Sequence, residues 1–218
     1  VGVAVDWSTS LVEPETIDFW LETMGGLAVS PYDGSDAFTR RYSEWRCVLQ
    51  WAVTTQAQAM AIEGFFSQAR SRVVELNIPN FRVTASVGNH SGTLTVNGAH
   101  AAGATTLAVT GGSGQIGVGT IICMANQTHD RLHVVIAASG SPTSSLTIDP
   151  PLWWSRTGGE QVRYRGDGST QTTDMRETML LVSPLQGASL FPSPGSDTTG
   201  GYITSRAVEL VSSKRAAA

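Results

Sequence analysis

Ala37-Phe38-Thr39-Arg40-Arg41-Tyr42-Ser43-Glu44-Trp45-Arg46-Cys47-Val48-Leu49-Gln50-Trp51-Ala52-Val53 is the stretch from which the fold can be read. Successive side chains of a strand point to opposite faces. One face here carries Phe38, Arg40, Tyr42, Glu44, Arg46 and Val48. The other carries Thr39, Arg41, Ser43, Trp45, Cys47, Leu49 and Trp51, and turns apolar towards Trp51. A strand of this length exceeds the usual five or six residues. Its polar first half is therefore expected to be one arm of an extended hairpin, with the apolar second half seated in a core. Just before it, Ser30-Pro31-Tyr32-Asp33-Gly34-Ser35-Asp36 is turn chemistry, because Pro fixes φ and Asp-Gly tolerates a tight reversal. Farther upstream, Thr16-Ile17-Asp18-Phe19-Trp20-Leu21 suits either a short strand or a helical turn.

Downstream, Thr54-Thr55-Gln56 offers a helix N-cap, and a helix is expected over Ala57–Arg72. Ala57, Met60, Ala61, Phe65, Ala69 and Val73 fall near one face at helical spacing. Val73–Ile78 reads as a strand stopped by Pro79, and Phe81–Val87 as extended. After Gly88-Asn89 the composition shifts to Gly, Thr, Ala and β-branched residues. Short strands are predicted at Thr93–Val96, Thr106–Val109, Thr120–Met124, His129–Ala137, Ser145–Ile148 and Gln161–Arg165. Such recurrence between Gly-rich turns marks a small β-barrel or sandwich. The predicted organisation is an inserted barrel over 89–165, within a host unit built from 1–88 and 166–218. Thr178–Val182, Leu185–Phe191 and Tyr202–Val211 supply further strands, and 214–218 is expected to be disordered.

Composition agrees with a mainly β protein. Of 218 residues, 41% are hydrophobic and only 15% charged, with 23 Gly and 6 Trp. Low charge with abundant turn formers excludes a coiled coil or a charged disordered tail. A surface so poor in charge is neutral polar or covered by neighbouring subunits. The net charge is −4, with one lysine, Lys214, among 14 basic residues, and no basic run interleaves with aromatics. Nucleic-acid binding by counterion release is not expected. No run of 18 apolar residues spans a membrane, and no signal sequence is visible at Val1, so synthesis in a cytoplasm is expected. Cys47 and Cys123, far apart in sequence, read as buried small hydrophobes.

Candidate chemistry is sparse. His129-Asp130-Arg131-Leu132-His133 has the i, i+4 spacing of a helical zinc motif. Its neighbours predict a hairpin, in which residues four apart lie about 13 Å apart. An exposed His pair is expected there, with no metal site. Gly111-Gly112-Ser113-Gly114-Gln115-Ile116-Gly117 lacks the Lys-Ser/Thr ending of a phosphate loop and reads as a turn. No nucleophile, base and orienting group fall in a recognisable order. Neither Glu13 with Glu15 nor Asp33 with Asp36 reads as a catalytic pair. No catalytic residue, metal or cofactor is predicted. Trp153-Trp154, after Pro150-Pro151-Leu152, is the most exposed-looking feature: adjacent strand residues face opposite ways, so one ring can be core and the other surface. That surface suits a subunit contact or a sugar-stacking platform.

The order of these parts resembles a known family. Ser30–Ser35, then Tyr42-Ser43-Glu44-Trp45-Arg46 and the helix with Phe65-Phe66 fall in sequence. Gly117-Val118-Gly119-Thr120-Ile121-Ile122, Arg131-Leu132-His133-Val134-Val135, Leu146-Thr147-Ile148-Asp149-Pro150-Pro151-Leu152 and Gly159-Glu160-Gln161-Val162 follow. The closing strand is Ile203-Thr204-Ser205-Arg206-Ala207-Val208-Glu209-Leu210. Over about 30–211 the chain is similar to the distal tail proteins of long-tailed bacteriophages and gene transfer agents, whereas residues 1–29 match poorly. The resemblance implies a tail-tube-like β-sandwich with one flanking α-helix and a long β-hairpin, decorated by an inserted small β-barrel of OB-like type. It further implies a non-enzymatic virion protein that forms a hexameric ring, joining the major tail tube protein to the tail-tip hub and tape-measure proteins. Arg40, Arg41, Tyr42, Glu44, Trp45 and Arg46 are then the candidate intersubunit residues. Trp153 and Trp154 are candidates for contact with a subunit or with a host surface glycan. Alternative readings are a minor tail or terminator protein, and a carbohydrate-binding adhesion module.

Overall fold

A computed structural model describes residues 4–7, 11–29, 36–51, 53–68, 75–80, 85–126, 129–165, 175–182, 191–192, 201–203 and 208–212. In chain order its elements are β1 (Val5–Asp6), β2 (Thr16–Val29), β3 (Asp36–Gln50), β4 (Val53–Thr55), α1 (Gln56–Ser67) and β5 (Leu76–Pro79). Then come β6 (Leu94–Val96), β7 (Thr106–Thr110), β8 (Ile121–Asn126), β9 (His129–Ser139), β10 (Ser145–Asp149) and β11 (Gln161–Tyr164). The chain closes with β12 (Arg176–Leu181), β13 (Phe191–Pro192), β14 (Gly201–Ile203) and β15 (Val208–Ser212). The expected turns at 30–35 and 166–174, most of the expected Leu185–Phe191 strand, and 214–218 lie outside the described residues.

The long strand read from the sequence is β3. Its partner arm is all of β2, the segment left open between strand and helical turn. The two run antiparallel from Thr16↔Gln50 to Val29↔Asp36, with one bulge between Met24 and Gly25. Ile17, Phe19 and Leu21 alternate inwards; Trp20, on the other face beside Arg46, interrupts the polar half of the pattern and hides the period. These strands end a mixed six-stranded sheet in the order β1-β5-β12-β15-β3-β2. Phe19, Trp45, Cys47, Leu49, Leu76, Ile78, Met179, Leu181, Val208 and Leu210 bury one of its faces. A second sheet joins β13, β14 and β4.

Helix α1 begins where the sequence placed its cap. Thr55 accepts from Gln58 N–H, and the Gln58 side chain accepts in turn from Thr55 N–H, a capping box. The buried face differs from expectation. Ala59, Ile62, Phe65 and Phe66 point inwards, while Met60 is 59% exposed and Ala57 and Ala61 face out. The bulky Ile62, Phe65 and Phe66 set the rotation, because they can pack on the stacked Trp7 and Trp51; small alanines have little say. The described helix ends at Ser67, short of the expected Arg72, and Ala69 and Val73 lie outside the described residues.

All six strands predicted within 89–165 form, each within two residues of expectation, and close a barrel in the order β10-β7-β6-β11-β8-β9. Leu94, Val96, Leu107, Val109, Ile122, Val135, Leu146, Ile148 and Val162 fill it. Its β8–β9 wall serves two cores. Ile122, Met124 and Val135 face the barrel interior, while Cys123 and Leu132 join the core of the six-stranded sheet. The barrel thus packs on the six-stranded sheet through a shared wall. Gly112, in the 111–114 turn, has φ +65° and leaves no room for a side chain: a Cβ there would strike His90 and the Ser91 carbonyl.

Candidate functional site: the ribbon and the barrel joint

Two features stand out above an ordinary β fold. The first is the ribbon. Strand β15 pairs with β3 only from Arg46 to Leu49, and Ser212 Oγ extends the contact to Trp45 N–H at 2.9 Å. Among the described residues, β3 from Ser43 back to Asp36 has β2 as its only strand partner, and β2 has no second strand neighbour. An unpaired edge of this length presents free backbone donors and acceptors to an incoming strand.

The six candidate interface residues divide within this ribbon. Arg40, Arg41 and Tyr42 occupy its free-edged part; their side chains lie outside what the structure describes. Trp45 is buried in the chain's own core, 5.4 Å from Phe19, with Nε1 donating to Leu132 O at 2.8 Å. Arg46 is held within the chain, by Glu22, by Glu44 at 3.5 Å and by Glu209 at 3.1 Å, and Glu44 is itself buried. Trp45 thus packs into its own chain's core, and Arg46, on the opposite face of β3, is engaged by carboxylates of its own chain.

The second feature is the joint between barrel and sheet. Arg131 of β9 donates from Nη1 to Glu177 Oε1 of β12 at 2.6 Å, with the two side chains only 6% and 2% exposed. Glu177 also accepts from Leu132 N–H at 2.7 Å and from Ser212 Oγ at 2.8 Å. Burial pushes the Glu177 carboxyl above its ordinary range, and Arg131 with the two other donors offsets this only in part. One carboxylate thus ties β9, β12 and β15 together. Sequence reasoning passed over Glu177, yet a signal existed: Met175, Glu177, Met179 and Leu181 share the core-facing parity of β12, and Glu177 is the one charge among them.

Above Arg131 lies the segment from Pro150 to Arg156. Arg131 sits 5.4 Å from the Trp153 ring and 5.9 Å from the Trp154 ring; Arg156 stacks on Trp154 at 4.8 Å. Trp153 is 40% exposed and Trp154 half-buried, so the expected division into one inner and one outer ring is present in graded form. His133 corrects the expected exposed pair. It is 1% exposed, because an inward position on β9 is roofed by this segment, and its Nδ1–H donates to Pro150 O at 2.7 Å. Burial, reinforced by Arg156 and Arg131, pushes its pKa down to about 4. The His129 side chain lies outside the described residues. Among the described residues no three His, Cys, Asp or Glu side chains group to hold a metal. No described helix is long and apolar enough to cross a membrane. Cys47 and Cys123 are free and buried.

No protein-family model and no curated sequence matches this chain.

Proposed function

We propose that this chain is a non-enzymatic structural subunit of a phage-type tail tip, a distal tail protein that closes with copies of itself into a ring between tail tube and baseplate hub. The β2–β3 ribbon carries this reading. The six residue pairs beyond Ser43 extend about 20 Å with no third strand among the described residues, and an isolated two-stranded ribbon is marginal in water. A neighbouring copy that adds strands along the ribbon satisfies its open edges, and a repeated head-to-tail contact closes a ring. The order of motifs over 30–211 supports the same assignment, with a tail-tube-like sandwich as host, an OB-like barrel outside it, and six copies in the ring. Its axial neighbours are then the tail tube protein, the hub and the tape-measure protein, and its place is the virion.

Mass photometry and negative-stain micrographs of the purified chain, alone and with its tube protein, test this. A closed ring of identical subunits is the expected result. A monomer under every condition, with ribbon amides already protected from exchange, overturns it. A second reading rests on Trp153, which keeps 40% of its surface exposed while Arg131 fixes its ring: a flat, immobilised indole is suited to stack on a sugar of the host surface. Glycan-array binding that Trp153→Ala abolishes without changing the oligomeric state favours it.

A further inference from the structure

The Pro150–Arg156 segment is a strap over one end of the barrel. It leaves β10 at Asp149 and reaches the loop between β6 and β7, where Leu152 N–H donates to Ala104 O at 2.9 Å and Leu152 O accepts from Gly103 N–H at 2.7 Å. Arg156 and His100 exchange backbone bonds at 2.7 and 2.9 Å, and the Leu152 side chain enters the barrel core. On its underside the strap meets His133 through Pro150 O. The charged groups around that imidazole are of one sign: Arg131 from its own strand and Arg156 from the strap. Each guanidinium has its own carboxylate, Glu177 at 2.6 Å for Arg131 and Glu160 at 2.8 Å for Arg156. Asp149 turns to Ser43 Oγ at 3.4 Å. No carboxylate is hydrogen-bonded to His133 among the described residues.

We propose that the strap is a proton-operated lid: when His133 takes a proton, the Pro150–Arg156 segment lifts and bares Trp153, Trp154 and the barrel end beneath them. A protonated ring at this place is a third cation between two arginines, shut off from solvent at 1% exposure, with the Pro150 carbonyl as its one hydrogen-bond acceptor among the described residues. Releasing the strap lets the charge reach solvent and removes Arg156 from its vicinity. The barrel itself need not open, because its ladder does not depend on the strap. The depressed affinity of the closed site for a proton agrees with this: His133 holds its proton at about 4 beneath the strap against the ordinary 6.5. The ratio of open to closed strap then rises by up to about 300-fold as the pH falls from above 6.5 to below 4.

Amide exchange of the intact chain by NMR, expressed as protection factors corrected for the intrinsic rate at each pH, reads that ratio. The Leu152 and Arg156 amides are expected to lose up to about 300-fold in protection, while Val135 in the barrel ladder and Phe66 in α1 keep theirs. Ring ¹⁵N shifts of His133 in the same samples give its titration in the closed chain, and the fall in protection must level off as that titration completes. His133→Asn keeps a donor for Pro150 O but cannot titrate, and should flatten the response; His133→Gln serves the same purpose with a longer arm. Loss of protection that spreads to Val135 and Phe66 together, or that is absent, overturns the proposal. So does a response that fails to level off as the His133 titration completes, or that survives in either folded variant.

Discussion

Replacing Glu177 by Leu isolates what joins the barrel to its host. The carboxylate is 2% exposed and the guanidinium it serves 6%, so the substitution leaves Arg131 buried with its charge uncompensated. Removing one partner of such a pair costs about 3–5 kcal/mol, far more than the pair is worth against a well-packed apolar replacement. Two further donors, Leu132 N–H and Ser212 Oγ, lose their acceptor at the same time. Set against a usual total of about 5–15 kcal/mol, the loss is large. Urea unfolding followed by circular dichroism and tryptophan emission measures it. The double variant Arg131→Met/Glu177→Leu is expected to recover most of the loss, because no buried charge remains. If Glu177→Leu alone costs under about 1 kcal/mol, or the double variant is no better than the single one, the pair does not hold the joint.

Other outcomes are equally definite. Thr55→Ala should cost about 1 kcal/mol in thermal or urea unfolding through loss of the α1 cap, and Thr55→Ser should restore most of it. Gly112→Ala, at φ +65° against the Ser91 carbonyl, should cost at least about 1–2 kcal/mol, visible as a lower Tm. His133 is neutral in the folded chain down to about pH 4, whereas the unfolded chain charges near 6.5. Its contribution is therefore complete above pH 6.5 and falls by about 3 kcal/mol as the pH drops to 4, a loss that His133→Asn should remove from urea midpoints measured across that window. Glu177 acts in the opposite sense: with its carboxyl raised, the folded chain binds that proton more tightly than the unfolded one, so Glu177→Gln should steepen the acid loss.

What was legible in the sequence follows from how local each signal is. The barrel strands were placed almost to the residue because each is a short β-branched run between glycines, and a turn that needs positive φ leaves a mark that no packing can disguise. Strand β3 was equally plain, since its alternation runs through fifteen residues. Its partner β2 was not, because Trp20 and Glu22 share a face and blur the period. The rotation of α1 was misjudged for a related reason: equal weight on small and large apolar residues gave a stripe through Ala57 and Ala61, whereas Ile62 and Phe66 decide what the core accepts. The candidate site is the least local part. Trp45 and Arg46 were candidates for contact with a neighbouring subunit; within the chain Trp45 packs on Phe19 and Arg46 pairs with Glu22 and Glu209, both distant in sequence. Glu177 and the burial of His133 depend on contacts between β9, β12 and the strap, and such pairing has no local trace beyond a charge at a core-facing position.

The two features differ in what they require of the chain's surroundings. The joint is made within one molecule: Glu177 meets Arg131, Leu132 N–H and Ser212 Oγ of its own chain, so these contacts need no partner. The ribbon is the reverse. Past Ser43, among the described residues, its two strands pair only with each other, and each ladder position on an open edge leaves backbone groups to water. Water satisfies those groups but does nothing to keep the six residue pairs extended, and fixing each residue costs about 1–2 kcal/mol of conformational entropy. Cross-strand pairs return only about 0.2–1 kcal/mol each. On these terms the ordering cost exceeds what the cross-strand pairs return, so a two-stranded ribbon depends on burial of further surface for its order. Barrel and ribbon thus differ in kind: on the ring-subunit reading proposed above, the first is folded before assembly and the second is the part that assembly would finish.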